Sequence, residues 1–190
     1  MKEELGDRLG RAASLHVLAM IEHDQGNPAE ARRLLRESIA AFEELGDRLG
    51  RAASLHQLAI IERDQGNSDE ARGLLRESIA AFEELGHRQG RAASLHLLAI
   101  IEGLQGNPAA ARRLLRESIE IKKEIGDLDG IATSLGMLAQ LNALEGRFEE
   151  AVAQGREAVR LLEGTGSFKA AWAREVLRAI EARAARGPGA

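Results

Sequence analysis

Residues 6–45 read GDRLGRAASLHVLAMIEHDQGNPAEARRLLRESIAAFEEL. The stretch returns at 46–85 with 34 of its 40 positions unchanged, again at 86–125, and in degraded form at 126–165. A fixed period of 40 residues marks a repeat array, whose units bury their apolar faces only on neighbours. The period therefore predicts one quasi-linear array, although 190 residues would also allow two globular domains.

Composition supports this and narrows the function. Hydrophobic residues make up 44%, enough for a packed core and too many for a disordered chain. Aromatics are 3% and tyrosine is absent, so the core is expected from Leu, Ile and Ala. A net charge of −4 argues against general binding to nucleic-acid phosphates, which needs clustered excess Lys and Arg. The lack of cysteine removes disulfides and thiolate metal sites. No run approaches about 18 apolar residues and no charged-then-apolar leader is seen. No membrane partner is expected, and the expected location is the cytoplasm.

Within the first unit, apolar residues recur at Leu9, Ala12, Leu15, Leu18, Ala19 and Ile21, which is helical spacing. Asp7 is the expected N-cap of a first helix over about 9–25, and Gly26 its left-handed stop. Asn27, Pro28 and Glu30 read as N-cap, N1 and the N3 acid of a capping box opening a second helix over 28–45. So short a link predicts an antiparallel pair. Repeat two keeps Asn67 and Glu70, repeat three keeps Asn107 and Pro108, and repeat four reads Glu145-Gly146-Arg147-Phe148. Without the asparagine, the turn of repeat four is expected to be the least well defined.

The expected division is thus repeats at 6–45, 46–85, 86–125 and 126–165, with MKEEL at 1–5 as the end of a truncated preceding unit. Ser167 is expected to cap a last helix in 166–186, from about Phe168, that covers the array through Phe168, Trp172, Val176, Leu177 and Ile180. Residues 187–190 read as a frayed tail.

In the first repeat a signature falls on Leu15, Leu18-Ala19, Gly26, Ala31, Leu35 and Ser38. It recurs at Leu55, Leu58-Ala59, Gly66, Ala71, Leu75 and Ser78, and at Leu95, Leu98-Ala99, Gly106, Ala111, Leu115 and Ser118. Repeat four carries Leu135, Leu138-Ala139, Gly146, Ala151, Gly155 and Ala158. This resembles the tetratricopeptide repeat in its 40-residue variety. Such arrays are similar to those of the spindle-orientation adaptor family and of bacterial signal-transducing ATPases and transcriptional regulators. The resemblance implies an all-α, right-handed α-solenoid of four antiparallel helix pairs, with the first helices lining a concave groove that binds protein or peptide. It implies no catalysis and no cofactor. The sequence departs from the family at Glu22, Glu62, Glu102 and Asn142, where tyrosine is usual, and at Met20, Ile60 and Ile100, where asparagine is usual.

At about 100° per residue, Leu9, His16, Met20 and His23 share one side of the first helix, flanked by Val17. Repeat two places Leu49, His56, Ile60 and Arg63 there with Gln57, repeat three His96 and Ile100 with Leu97, and repeat four Met137 and Gln140. The resemblance makes this side the groove. Its floor is apolar with a row of imidazoles, which suits an amphipathic helix or another copy of the chain.

His16, His56 and His96 do not read as a metal site, since packed helices lie about 8–10 Å apart and zinc holds nitrogen at about 2.1 Å. They read as hydrogen-bonding groups with pH sensitivity. Glu22, Glu62 and Glu102 on an apolar helix demand partners, and periodic Arg11, Arg51, Arg91, Arg32, Arg72 and Arg112 predict Glu–Arg ladders. Gly10, Gly50, Gly90 and Gly130 read as close helix–helix backbone contacts. Gly164-x-Gly166 follows no strand, so nucleotide binding has no support. The expectation is a non-catalytic interaction scaffold, homo-oligomeric by end stacking or swapping through the under-covered face of the first pair, including Leu5. The alternative is a sensor or regulatory piece of a larger ATPase or transcriptional regulator.

Overall fold

Glycines set the turns of this chain. Gly26, Gly46, Gly66, Gly86, Gly106, Gly126, Gly146 and Gly166 all adopt φ between 64 and 81°, a region L side chains avoid. At each, the glycine N–H and the following N–H reach back to the carbonyls of the preceding helix. Gly26 N donates to His23 O at 2.9 Å and Asn27 N to Glu22 O at 2.8 Å, the paired bonds that close a helix end.

The computed structural model describes residues 2–186, with side chains from residue 6 onward. The expectations for Leu5 and for the tail at 187–190 lie outside the described residues. Among the described residues are nine helices and no strand. They are α1 (Lys2–Asp24), α2 (Pro28–Leu45), α3 (Arg48–Asp64), α4 (Ser68–Glu84), α5 (Arg88–Leu104), α6 (Pro108–Ile125), α7 (Leu128–Leu144), α8 (Phe148–Gly164) and α9 (Ala170–Arg186). This is a helical repeat solenoid. The chain divides into two compact units, Met1–Ile101 and Glu102–Ala190. No described helix is long and apolar enough to cross a membrane.

In the first unit α1 pairs with α2 and α3 with α4, and α3 packs on α2. Ala19, Ala31, Leu34, Leu35, Leu58 and Ile61 form a buried cluster. The small residues let helices approach closely, and Leu and Ile fill between them. Gly50 has a further reason: a Cβ there would stand 2.6 Å from the Phe42 ring, and one at Gly90 would stand 2.6 Å from the Phe82 ring. An aromatic ring, not backbone, is what crowds these glycines.

In the second unit α7 pairs with α8, and α9 packs on both. Its docking depends on two glycines that break the repeat pattern. Gly136 stands where the earlier repeats carry His16, His56 and His96, and a Cβ there would lie 2.5 Å from Trp172 Cη2. Gly155 stands where they carry Leu35, Leu75 and Leu115, and a Cβ there would lie 3.1 Å from Leu177 Cδ1. Large residues lost from repeat four are thus matched by large residues on α9. Lys122 replaces Phe42 and Phe82; it donates to Gly130 O at 3.2 Å and Ser134 Oγ at 3.0 Å, and burial pushes its amine down to about 8.

Several expectations are corrected. The first helix does not begin after Asp7 but runs unbroken from Lys2, because Gly6 stays helical and costs only about 1 kcal/mol there. The capping boxes do not form. Asn27, Asn67 and Asn107 make no cap bond, and donate instead to Glu22 (2.8 Å), Glu62 (2.6 Å) and Glu102 (2.8 Å). The side-chain caps belong to the other helices: Asp47 and Asp127 accept from Gly50 and Gly130, and His87 Nδ1 accepts from Gly90 N. The turn of repeat four is as well formed as the rest, with Gly146 at φ 77° and Arg147 N donating to Asn142 O at 2.8 Å. It never needed the asparagine, because glycine and the two backbone bonds hold every turn. Phe168 is not in the covering face: it is 88% exposed and precedes α9.

Candidate functional site

The first helices of the first unit are tied by a repeated polar chain. His16 Nδ1 stands 2.9 Å from Ser54 Oγ, Ser54 Oγ is 3.2 Å from Ser38 Oγ, and Ser38 Oγ donates to Ala12 O at 2.9 Å. His56, Ser94, Ser78 and Ala52 O repeat it at 2.9, 3.2 and 3.0 Å. Proton count fixes the directions. Ser38 spends its only hydrogen on Ala12, so Ser54 must donate to Ser38, and His16 Nδ1–H must donate to Ser54. Each neutral imidazole therefore keeps Nε2 as its acceptor. The chain sets α1 beside α3 and α3 beside α5, and His23 Nε2 adds a contact to Asp64 at 3.3 Å.

This geometry places the sequence-predicted residues as follows. Val17, Met20 and Leu49 are exposed, and Leu9, His16, His23, His56, Gln57, Ile60, Arg63, His96 and Ile100 are partly buried. Leu97 is buried and belongs to the core, whereas Gln57 at its place in repeat two is only partly buried; a leucine gains by leaving water where a glutamine does not. Met137 and Gln140 lie in the second unit, where Gln140 joins Leu144, Trp172, Val176 and Ile180 around a cleft of about 410 Å³.

Of the acids singled out by the sequence, Glu62 and Glu102 are buried, and Glu62 is answered by an arginine of the neighbouring helix. Glu62, fully buried, is forked by Arg32 of α2: Nη2 donates to Oε2 at 2.9 Å, and Nε stands 2.6 Å from Oε1 at an angle outside hydrogen-bond geometry. In the second unit Arg112 pairs with an acid outside that periodic set, the exposed Glu145. Arg51 serves α2 and α4 instead, reaching Glu43 at 3.7 Å and Glu77 at 3.1 Å. These ion pairs tie helices together.

Burial holds the His16 imidazole below the ordinary histidine range. Burial first, then the charges of Arg63 and His16, pushes His56 down to about 4. Both rings are therefore neutral in the folded chain near pH 7. The unfolded chain binds protons first as pH falls below about 6.5, so stability is complete above that pH and is lost toward pH 4. The loss at His56 is expected to be on the order of 2 kcal/mol, trimmed by the water that still reaches one edge of the ring. Urea midpoints from pH 7.5 to 4.5 should fall more steeply for the natural chain than for His56→Gln; parallel curves would remove His56 as the cause.

Residues 10–84, 50–124 and 90–164 match the Tetratricopeptide repeat family in three overlapping windows. The chain belongs to the tetratricopeptide-repeat family. No sequence match is found among curated proteins. Solved structures are similar in fold. Aspartyl phosphate phosphatase F from Bacillus subtilis aligns with TM-score 0.81 at 11% identity, over 91% of this chain and 49% of that one. A Rap protein complexed with Competence and Sporulation Factor aligns with TM-score 0.79 at 15% identity, over 93% and 50%. A putative kinesin light chain from Podosopora anserina, with nearly identical TPR-like repeats, aligns with TM-score 0.67 at 25% identity, over 94% and 99%. The tetratricopeptide array thus spans about half the length of the first and second of these and nearly all of the third.

Two structural features of this tetratricopeptide array escaped sequence reasoning. The serine relay was visible only as serines in phase with the histidines, a signal that repetition alone would also produce. The complementarity of Gly136 and Gly155 to α9 was visible only as two missing large residues.

Proposed function

We propose that the chain is a non-catalytic protein-binding scaffold whose α1, α3 and α5 present one face to an amphipathic helix or peptide. The observation that carries this is the polar relay, which holds His16 and His56 in a fixed row while leaving Val17, Met20 and Ile60 available beside them. An apolar strip with spaced acceptors suits an amphipathic helix, whose apolar stripe buries while its polar edge is read. The cytoplasm is its proposed location, and pairing of copies through the first repeat is part of the same reading. A second reading, a regulatory module whose face takes a signalling factor, is supported by the fold likeness to the Rap protein solved with such a factor.

The test is the triple substitution Met20→Arg, Ile60→Arg and Ile100→Arg in immobilised full chain. Each position keeps some exposure, so helicity by circular dichroism should hold. Proteins captured by the natural chain should be lost by about tenfold or more. Equal capture by both chains would show that this face is not the binding surface.

A further inference from the structure

We infer that the outward face of α1 is a docking site for a helix bearing the pattern of this protein's own α2, supplied by another chain. Repeats one and two are nearly identical in sequence, yet differ in what covers their first helix. Leu18 and Ile21 are 48% and 44% exposed, whereas their counterparts Leu58 and Ile61 are 3% and 0% exposed. Leu58 and Ile61 are covered because α2 lies across α3.

That internal contact states what the occupant must carry. Running antiparallel, Arg32 pairs with Glu62, Leu35 clusters with Leu58 and Ile61, Ser38 meets Ser54, and the Phe42 ring lies over Gly50. On α1 the same four stations are Glu22, Leu18 with Ile21, Ser14, and Gly10. Each is set up in the same order and none is closed over. Glu22 is partly exposed and holds Asn27, Ser14 turns back to Gly10 O at 2.8 Å, and nothing lies within 4 Å of a Cβ built on Gly10. Beside Leu15 a cleft of about 300 Å³ opens between α1 and α2, bounded by Ala40, Ala41 and Leu45. The ligand is therefore an amphipathic helix of the form Arg-x-x-Leu-x-x-Ser-x-x-x-Phe, with arginine facing a carboxylate and phenylalanine over a glycine.

The local backbone favours a helix from elsewhere. In the other repeats a left-handed glycine folds the preceding helix back onto the next one. Gly6, at that place, is inside α1, so residues 2–5 continue along the axis and cannot lie across Leu18.

The experiment titrates a fluorescein-labelled peptide of residues 28–45 against the full chain and reads anisotropy. Saturable one-to-one binding is expected. Gly10→Ala improves an exposed helical position, so the chain stays folded, yet its methyl occupies the phenylalanine station; affinity should fall about tenfold. Leu18→Glu should abolish binding. A peptide with Phe42→Ala should bind about tenfold more weakly to the natural chain and be indifferent to Gly10→Ala. No binding up to ~1 mM peptide, or binding unchanged by Gly10→Ala and Leu18→Glu, overturns the proposal. Ile60→Arg, which disables the face proposed above, should leave peptide binding intact, so the two readings fail separately.

Discussion

Replacing Trp172 by alanine is expected to destabilise the second unit by about 3 kcal/mol, the low end of the range for an aromatic removed from a core, since the ring is only partly buried. The ring packs beside both apolar clusters that join α9 to α7 and α8. Its removal leaves the space above Gly136 unfilled. Gly136→His, which restores the residue of the other repeats, should by itself be about as damaging, because its Cβ would stand 2.5 Å from the ring. Together the two changes should cost well below their sum, with a coupling of roughly 1–3 kcal/mol, because the imidazole enters the space the indole leaves. Urea unfolding followed by circular dichroism measures the cycle, since Trp172 is the only tryptophan and fluorescence would be lost with it. Strict additivity would mean that Gly136 is not shaped to Trp172.

Arg32→Met is the second large effect, with an expected loss of about 3 kcal/mol. Methionine keeps much of the packing of the arginine stem, so the loss reports charge and hydrogen bonding. Glu62 is fully buried, and without the fork Asn67 and the more distant Arg36, at 3.9 Å, are left facing it among the described residues. Adding Glu62→Met should recover most of the loss, because an apolar pair of similar volume needs no ion partner. If the double substitution is as unstable as Arg32→Met, the penalty lies in packing and not in the stranded carboxylate. Chemical denaturation of the single and double variants decides between them.

Both effects show where the sequence was readable. Glu62 on an otherwise apolar helix demanded a cation, and the 40-residue spacing offered arginines in phase; which arginine answers is a matter of helix crossing. Arg32 reaches it because α2 lies across α3, whereas Arg51 faces α2 and α4. The histidine row was legible from helical spacing, but its serine partners sit 38 residues away on a neighbouring helix, so the direction of each bond emerged only from the packed array. The asparagines misled for a physical reason. Asn is a good N-cap because its Oδ1 can accept from the first turn, yet here a buried carboxylate five residues back takes the Nδ2–H in a charge-assisted bond, and the side chain is held where its oxygen makes no cap bond.

The sequence by itself determined the repeat, the helix pairs and the glycine turns, because these follow from local periodicity and from the one residue that tolerates positive φ. Tertiary structure alone decided which otherwise equivalent faces are covered. Leu18 and Leu58 sit in nearly the same sequence, and only the helix laid across the second distinguishes them. Burial belongs to the neighbour as much as to the residue, and no local pattern records whether the neighbour is there.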